Sequence, residues 1–226
     1  MPSKRILKLQ ASFDRNKSYP IAEAVAIIKK TASKKFDETI EVHAKLGIDP
    51  KKGEQQVRSN IVLPHSFGAT KKVAAFVTED KRKTAKEAGA DIVYAESDIA
   101  ELIKSGKIEF DVAVAIPEIM KNLAPMAKIL GPKGLMPSPK NETVTQNLTK
   151  IIGELKKGKI AFKNDDTSNL HQAIAKVRMP EAEILANFEE FYSALKKAKP
   201  ETSKGTFIKS LTVCSTMGPS IKVEIK

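Results

Sequence analysis

The chain has 226 residues, 41% of them hydrophobic, which is enough for one large domain or two small ones and argues against wholesale disorder. Its single cysteine excludes an intramolecular disulfide framework and any cysteine-rich metal site, and no stretch approaches the ~20 apolar residues of a membrane-spanning helix. The net charge of +12, carried by 34 lysines and five arginines, favours a polyanionic partner, either nucleic acid or an anionic membrane.

The first third of the chain predicts a helix followed by two half-exposed strands. Residues 1–17 are basic but lack the apolar segment of a secretory signal, so a soluble cytoplasmic protein is expected. Between residues 20 and 34, apolar side chains recur at the spacing of one helix face. Residues 39–48 alternate apolar and polar side chains, which predicts a strand with one wet face, and residues 57–63 predict a second strand.

The middle of the chain has a different pattern. Short β-branched runs without alternation are predicted as strands at 73–78, 91–94 and 111–116. Helical patterns separate and follow them, at 81–88, 99–105, 118–130 and 143–157. This alternation of helices with continuous apolar strands is typical of a parallel sheet covered on both faces.

The last third returns to alternation and predicts a strand at 159–163, a helix at 180–199, and strands at 207–216 and 220–225. Because a two-stranded sheet is marginal alone, the first and last strands are expected to pair. The prediction is an α/β fold: a discontinuous α+β domain, 1–67 and 159–226, with an inserted α/β domain, 68–158. The discontinuous domain carries +9 of the +12 charge, so the polyanion site is expected there.

The sequence shows few residues in the arrangements that enzyme active sites use. The three histidines are far apart in sequence and form no metal-spaced pair, so ordinary surface roles are expected for them, and a small buried role is expected for Cys214. Neither G-x-G-x-x-G nor G-x-x-x-x-G-K-[ST] is present. Two alternatives remain open here: an enzyme acting on a nucleotide or sugar phosphate in the middle domain, and a membrane-surface module that works through lysine charge.

Two segments fit contact with RNA. Residues 34–39 place lysines and Phe36 just before a strand, where the ring could stack on a base or pack on ribose. Residues 215–219 offer the Thr216 hydroxyl and, at Gly218, a close approach of the backbone. A plain helix exit and a plain hairpin turn are the competing interpretations. A third segment, 131–140, is stiffened by glycine and proline; it is either a rigid connector or a functional loop that includes Gly131, Lys133, Gly134 and Lys140.

Segments spread over nearly the whole chain resemble a known family. The matching segments are Lys-Phe-Asp-Glu-Thr at 35–39, Glu-Val-His-Ala-Lys-Leu-Gly-Ile-Asp-Pro at 41–50, Leu-Pro-His at 63–65, Lys-Ile-Leu-Gly-Pro-Lys-Gly-Leu-Met-Pro at 128–137 and Ser-Thr-Met-Gly-Pro-Ser at 215–220. Together and in this order they resemble bacterial large-subunit ribosomal protein one, the protein of the mobile stalk beside the tRNA exit site.

The resemblance implies a function and a set of contacts. It implies a Rossmann-like, three-layer inserted domain and a split domain that binds large-subunit ribosomal RNA, with exit-site tRNA and the leader of its own messenger RNA as further partners. It implies a non-enzymatic protein without cofactor or metal, without a membrane partner and monomeric when free. The RNA contacts of the family fall on Lys35, Phe36, Thr39, Lys163, Thr167, Ser210, Thr216, Met217 and Gly218.

The residues suggest how such RNA would be recognised. The deep groove of A-form RNA excludes side chains, so contacts fall on the shallow groove, riboses and irregular loops. Thr39 and Thr216 are expected to hydrogen-bond 2′-hydroxyls, and Phe36 and Met217 to pack on sugars or bases. Lysines such as Lys35 are expected to pair with phosphates, which adds affinity but little sequence choice.

Overall fold

The fold is that of a computed structural model, which describes residues 4–33, 35–68, 71–105 and 107–225. The chain divides into two compact units. Unit 1 consists of Met1–Gly68 and Ala161–Lys226, and unit 2 consists of Ala69–Ile160. Both units mix helices and strands, which confirms the α/β fold class.

Nine strands are present in the described residues: β1 (Thr39–Leu46), β2 (Arg58–Val62), β3 (Val73–Phe76), β4 (Ile92–Tyr94), β5 (Val112–Ala115), β6 (Lys159–Lys163), β7 (Asn169–Lys176), β8 (Ile208–Ser215) and β9 (Ile221–Lys222). Eight α-helices accompany them in the same part of the chain: α1 (Lys4–Gln10), α2 (Ile21–Thr31), α3 (Arg82–Glu87), α4 (Glu96–Ser105), α5 (Met120–Leu123), α6 (Ala127–Leu130), α7 (Leu148–Lys156) and α8 (Glu181–Lys197).

Unit 1 is built on a four-stranded sheet of order β7-β1-β8-β9. All three pairings in this sheet are antiparallel. Along β1 every second side chain is buried, as the alternation in the sequence predicts. The buried side chains face α2 and α8, which pack on the same side of the sheet. The opposite side of the sheet carries the polar side chains of β1, β7 and β8.

The strand β7 was not predicted from the sequence, although it pairs with β1 along most of its length. A second departure concerns β2, which does not join the main sheet; it pairs with β6 in a separate two-stranded sheet. The N-terminal and C-terminal strands therefore do pair with each other, but they do so in two sheets rather than in one.

Unit 2 has a three-stranded parallel sheet of order β4-β3-β5. Helices α4, α5 and α6 cover one face, and α3 and α7 cover the other. Because both faces are covered, the central strand β3 is buried along its whole length, which explains its continuous apolar sequence.

Two predicted helices of unit 2 are shorter or broken. Over 118–130 the chain forms α5 and α6 with 3₁₀ turns before and between them, and Pro125 lies in the second of these turns. Proline removes a backbone donor and clashes with the preceding turn, which accounts for the break. The helix expected over 143–157 begins only at Leu148, because Thr143 and Thr145 hydrogen-bond to Ala115 beside the sheet.

Candidate nucleic-acid interface

Six of the nine residues proposed to contact RNA lie at one end of the main sheet of unit 1. We call this set the Thr216 patch: Lys35, Phe36, Thr39, Thr216, Met217 and Gly218. The first strand and the last turn are tied together here, because the Thr216 N–H donates to the Thr39 carbonyl at 3.0 Å. The Thr39 N–H in turn donates to the Thr216 hydroxyl oxygen at 3.0 Å. Segments that are 177 residues apart in sequence thus form one surface.

The hydroxyl groups of Thr39 and Thr216 differ in what they can offer to RNA. The Thr216 hydroxyl accepts from the Thr39 N–H and donates to the Thr39 carbonyl at 3.3 Å, so its proton is already used. The Thr39 hydroxyl accepts from the Lys176 ammonium at 2.7 Å and keeps its own proton. Thr39 can therefore donate to a 2′-hydroxyl or a phosphate, whereas Thr216 offers only a lone pair.

Two large apolar side chains of the Thr216 patch face solvent. Phe36 is 47% exposed and Met217 is 52% exposed. About half of each side chain is therefore open to solvent, and an aromatic ring and a thioether both suit packing on riboses or bases. Lys35, also exposed, adds a positive charge beside them.

A buried carboxylate, Glu38, organises this patch, although no role for it was predicted from the sequence. Glu38 is fully buried; its carboxylate accepts from the Ser33 N–H at 2.7 Å and from the Met217 N–H at 3.4 Å. The Arg5 guanidinium lies 3.9 Å from the same carboxylate and also donates to the Met217 carbonyl at 3.1 Å. Glu38 shares the inward side of the alternation with Ile40, and this signal in the sequence could have identified it as a buried acid.

The position of the Ser215 side chain leaves no room for a side chain at residue 218, which is glycine. A Cβ atom at Gly218 would lie 2.3 Å from the Ser215 hydroxyl oxygen and 3.5 Å from the Ser215 Cβ. The Gly218 N–H donates to the Ser215 carbonyl at 2.9 Å, which closes the turn. Because Gly218 has no side chain, the turn can fold over the buried Ser215. The same lack of a side chain leaves room for RNA to approach the backbone closely.

Gly218→Ala is expected to destabilise unit 1 by about 1 kcal/mol, because the new methyl group overpacks the turn. Adding Ser215→Ala should restore the stability, since it removes the clashing oxygen and leaves the ordinary 3.5 Å contact. The Ser215 hydroxyl makes no hydrogen bond in the described residues, so its removal costs little by itself. Urea unfolding of the two single variants and the double variant measures this; equal losses in Gly218→Ala and the double variant would contradict the clash.

The other proposed contacts lie toward the opposite end of β1. Ser210 is directly opposite Lys45 in the β1–β8 pairing, and the Lys45 ammonium donates to the Thr167 carbonyl at 2.5 Å. We call Lys45, Thr167 and Ser210 the Lys45 patch. Thr39 and Lys45 are six residues apart on one strand, so the two patches are separated by about 20 Å. Lys163 is exposed at the last position of β6.

The Thr167 hydroxyl belongs to a turn built around Asp165. It donates to the Asp165 carboxylate at 2.8 Å and accepts from the Asn169 side-chain amide at 2.7 Å. Desolvation would raise the pKa of Asp165, but hydrogen bonds from the Asn169 N–H, the Thr167 hydroxyl and the Thr167 N–H outweigh it and hold this pKa at about 2. The acid is therefore ionised at neutral pH and fixes the shape of the turn, a common role for an aspartate that accepts hydrogen bonds from the backbone two residues on.

Between the two patches, three side chains from three strands form a polar row on the open side of the sheet. His43 Nδ1 lies 2.7 Å from His171 Nδ1, and His43 Nε2 lies 3.1 Å from the Cys214 sulfur. Desolvation and then the charge of His171 lower the pKa of His43, while Glu41 opposes them. This contact could not be predicted from the sequence, because 128 residues separate the two histidines.

The expectation that Cys214 is a core residue is wrong. Its neighbours Val213 and Ser215 are buried, so alternation turns Cys214 toward the open side of the sheet, where it is half-buried. Burial, followed by the nearby charge of Glu41, raises the pKa of its thiol to about 11. The thiol is therefore protonated at neutral pH and is a poor nucleophile.

The glycine- and proline-rich loop 131–140 lies in unit 2. The local backbone structure explains why glycine occupies two positions of this loop. A Cβ at Gly131 would lie 2.5 Å from the Ala127 carbonyl oxygen, and Gly134 has a positive φ of 70°. Leu135 and Met136 pack partly against the core of unit 2, whereas Lys133 is exposed. The side chain of Lys140 lies outside the part of the chain that the structure describes.

The described residues include neither a metal-binding cluster nor a membrane-spanning helix. They hold no group of three or more histidine, cysteine, aspartate or glutamate side chains that could bind a metal ion. Within the same residues, no helix has the length and apolar character needed to cross a membrane.

Comparison with known proteins decides between the alternatives left by the sequence. The model of the ribosomal protein L1p/L10e family matches residues 28–219, which include every residue of both patches. The chain belongs to this family. Two relatives, both called large ribosomal subunit protein uL1 and from Chlamydia trachomatis serovars L2b and L2, are each 44% identical to it over 223 residues. The match covers 99% of this chain and 96% of each relative.

Membership of the family settles the general function. The chain is a structural constituent of the large ribosomal subunit and works within the ribosome of the cytoplasm. It is not an enzyme, so the alternative of nucleotide or sugar-phosphate chemistry in unit 2 is wrong. The resemblance of its sequence segments to bacterial large-subunit ribosomal protein one is confirmed.

Proposed function

We propose that the discontinuous domain, unit 1, binds large-subunit ribosomal RNA directly through the Thr216 patch, the Lys45 patch and the open side of the sheet between them. The observation that carries the proposal is the convergence of the Thr216 patch. Residues 35–39 and 216–218 meet on one surface, where an aromatic ring, a thioether, a hydroxyl donor and lysine charge all face solvent. These are the groups that recognise irregular RNA by shape, ribose and phosphate.

The charge of the chain supports the same assignment. Residues 1–67 and 159–226 carry 24 basic and 15 acidic side chains, whereas residues 68–158 carry 15 and 12. Phosphate pairing of this kind adds affinity that falls as salt rises, and the neutral groups of the Thr216 patch supply the specificity. Lys163, Thr167 and Ser210 are proposed to contact the same RNA further along the sheet.

Thr216→Ala combined with Met217→Ala should weaken specific RNA binding by about 1–3 kcal/mol, or roughly 5- to 150-fold in Kd. Filter binding to the large-subunit RNA fragment that the wild-type chain protects from nuclease measures this. Thr216→Ser keeps the hydroxyl that holds Thr39 and should bind nearly as wild type. Thr149→Ala, at an exposed position of α7 in unit 2, is the control for an unrelated threonine. Wild-type affinity in the double variant would overturn the assignment.

We further propose two consequences of this binding. On the ribosome, the chain assists release of deacylated tRNA at the mobile stalk beside the exit site. When free, as a monomer, it represses translation by binding the leader of its own messenger RNA. Both are supported by membership of the family, and both use the RNA-binding surface proposed above, which a similar RNA fold could occupy.

Repression depends on the same patch if a single surface serves both RNAs. In a cell-free translation reaction, added wild-type chain should lower the yield from a messenger that carries its own leader. The Thr216→Ala and Met217→Ala double variant should leave that yield unchanged. Repression by the double variant equal to that of wild type would show that the messenger binds elsewhere.

A further inference from the structure

A cavity opens beside Phe36, where α2 ends. Its volume is about 300 Å³, and its lining includes Lys30 and Ala32 at the end of α2, the ring of Phe36, and Val177 and Arg178 just after β7. Ligand sites in proteins occupy roughly 300–1,000 Å³, so this cavity is at the lower end of that range and fits a single small group.

Three of the residues that line the cavity are apolar. They are Ala32, Val177 and Phe36, and Phe36 is 47% exposed. Every nucleobase has a flat face that stacks on an aromatic ring, whatever its sequence identity. These three apolar lining residues therefore suit a base better than they suit a phosphate or a sugar alone.

Two cations that line the cavity, Lys30 and Arg178, have no partner among the described residues. The Lys30 and Arg178 side chains are exposed, and within the described chain no carboxylate or carbonyl group engages either of them. The lining also holds a third cation, Lys29, and one acid, Asp37, so three positive charges stand against one negative charge. The Lys29 ammonium donates to the Met179 carbonyl at 2.6 Å, and the Asp37 carboxylate accepts from the backbone N–H of Arg178 at 3.2 Å. Two uncommitted cations beside a stacking surface fit a phosphate attached to a base.

We propose that this cavity receives one unstacked nucleotide of the bound RNA, with its base against Phe36 and its phosphate between Lys30 and Arg178. The inference rests on the proposed RNA binding and names the kind of nucleotide recognised. A base can enter only if it leaves its helix, and this costs least where the base is unpaired. The nucleotide therefore comes from a loop, bulge or junction of the RNA, and stacking makes the cavity tolerant of base identity.

Ala32→Leu tests the cavity without changing any charge or the Phe36 ring. Ala32 has an extended backbone that leucine readily adopts, and the larger side chain would fill the space that the base needs. We expect Kd for the protected RNA fragment to rise about 10-fold, the effect of one lost stacking contact. Arg178→Ala should raise Kd about fivefold through the lost phosphate contact, and Lys51→Ala, which removes the same charge from an exposed loop of unit 1, less than about twofold.

A fluorescent base reports on the nucleotide itself. With 2-aminopurine placed in turn at each unpaired position of the fragment, one position should change its fluorescence on binding to wild type but not to Ala32→Leu. Wild-type affinity in both Ala32→Leu and Arg178→Ala would overturn the cavity assignment and leave the proposed RNA binding intact. A wild-type chain without affinity for the fragment would overturn both. If Ala32→Leu lost its native circular dichroism, Arg178→Ala and the wild-type fluorescence would decide.

Discussion

Glu38→Ala should weaken RNA binding even though it removes a negative charge from a protein that binds a polyanion. A purely electrostatic effect would strengthen binding, because each acid near the RNA repels phosphate. We expect the opposite, a loss of about 2 kcal/mol, or roughly 30-fold in Kd. The reason is that the buried carboxylate holds Ser33 and Met217 through their N–H groups, and so fixes the two segments that carry Phe36 and the Thr216 turn.

The stability of unit 1 should fall in the same variant. Alanine leaves two backbone N–H groups without their charged acceptor, and hydrogen bonds to charged groups contribute about 1.5–3 kcal/mol each. We expect a loss of about 3 kcal/mol. Hydrogen exchange read by mass spectrometry separates the units: protection should fall in β1 and β8 and stay unchanged in β3 and β5.

Glu41→Ala is the matched control for Glu38→Ala. It removes the same charge from the same strand, but its side chain lies on the open side of the sheet and is 39% exposed. RNA affinity should stay equal or rise in Glu41→Ala, since no backbone N–H depends on this carboxylate in the described structure. A Glu38→Ala chain that binds RNA as well as Glu41→Ala does would show that Glu38 does not position the patch.

Much of the fold could be predicted from periodicity, because long alternating or continuous apolar segments have one good packing solution. β1 is the clearest case, and its outward and inward sides follow from its sequence alone. β7 escaped prediction because its alternation is interrupted. The register shifts between Ile40 and Glu41, where the partner strand carries one extra residue between Ala173 and Ala175. Such a bulge moves the following side chains to the other side of the strand and hides the period.

The candidate site was harder to predict than the fold, because its residues come from segments that are far apart in sequence. Phe36 and the Thr216 turn fitted RNA contact from their residue types, but a plain helix exit and a plain hairpin turn competed with that interpretation. The resemblance to the family was what favoured the contact. The His43–His171 contact could not, because it depends on which residues of two strands stand opposite each other. Strand register is decided by the packing of the whole sheet, so neighbours across strands are not readable from local sequence.

Gly47→Ala should strongly destabilise unit 1. A Cβ atom at Gly47 would lie 2.2 Å from the Thr206 carbonyl oxygen, which is backbone and cannot turn away as a side chain can. The Gly47 N–H already donates to the Phe207 carbonyl at 2.6 Å, so the two chain segments are held close together. Relieving the overlap requires the start of β8 to move, and we expect a loss of about 3 kcal/mol of unfolding free energy.

Gly53→Ala is the matched control, since a Cβ there meets nothing within 4 Å. Urea unfolding should show little change in Gly53→Ala and a large one in Gly47→Ala. The damage should also be local to the Lys45 patch, because Ser210 lies only a few residues after the displaced segment, whereas the Thr216 patch lies at the other end of β1 and β8. Nuclease footprints should therefore lose the protection due to the Lys45 patch first. Loss of the protection at the Thr216 patch alone would contradict this placement of the two patches on the RNA.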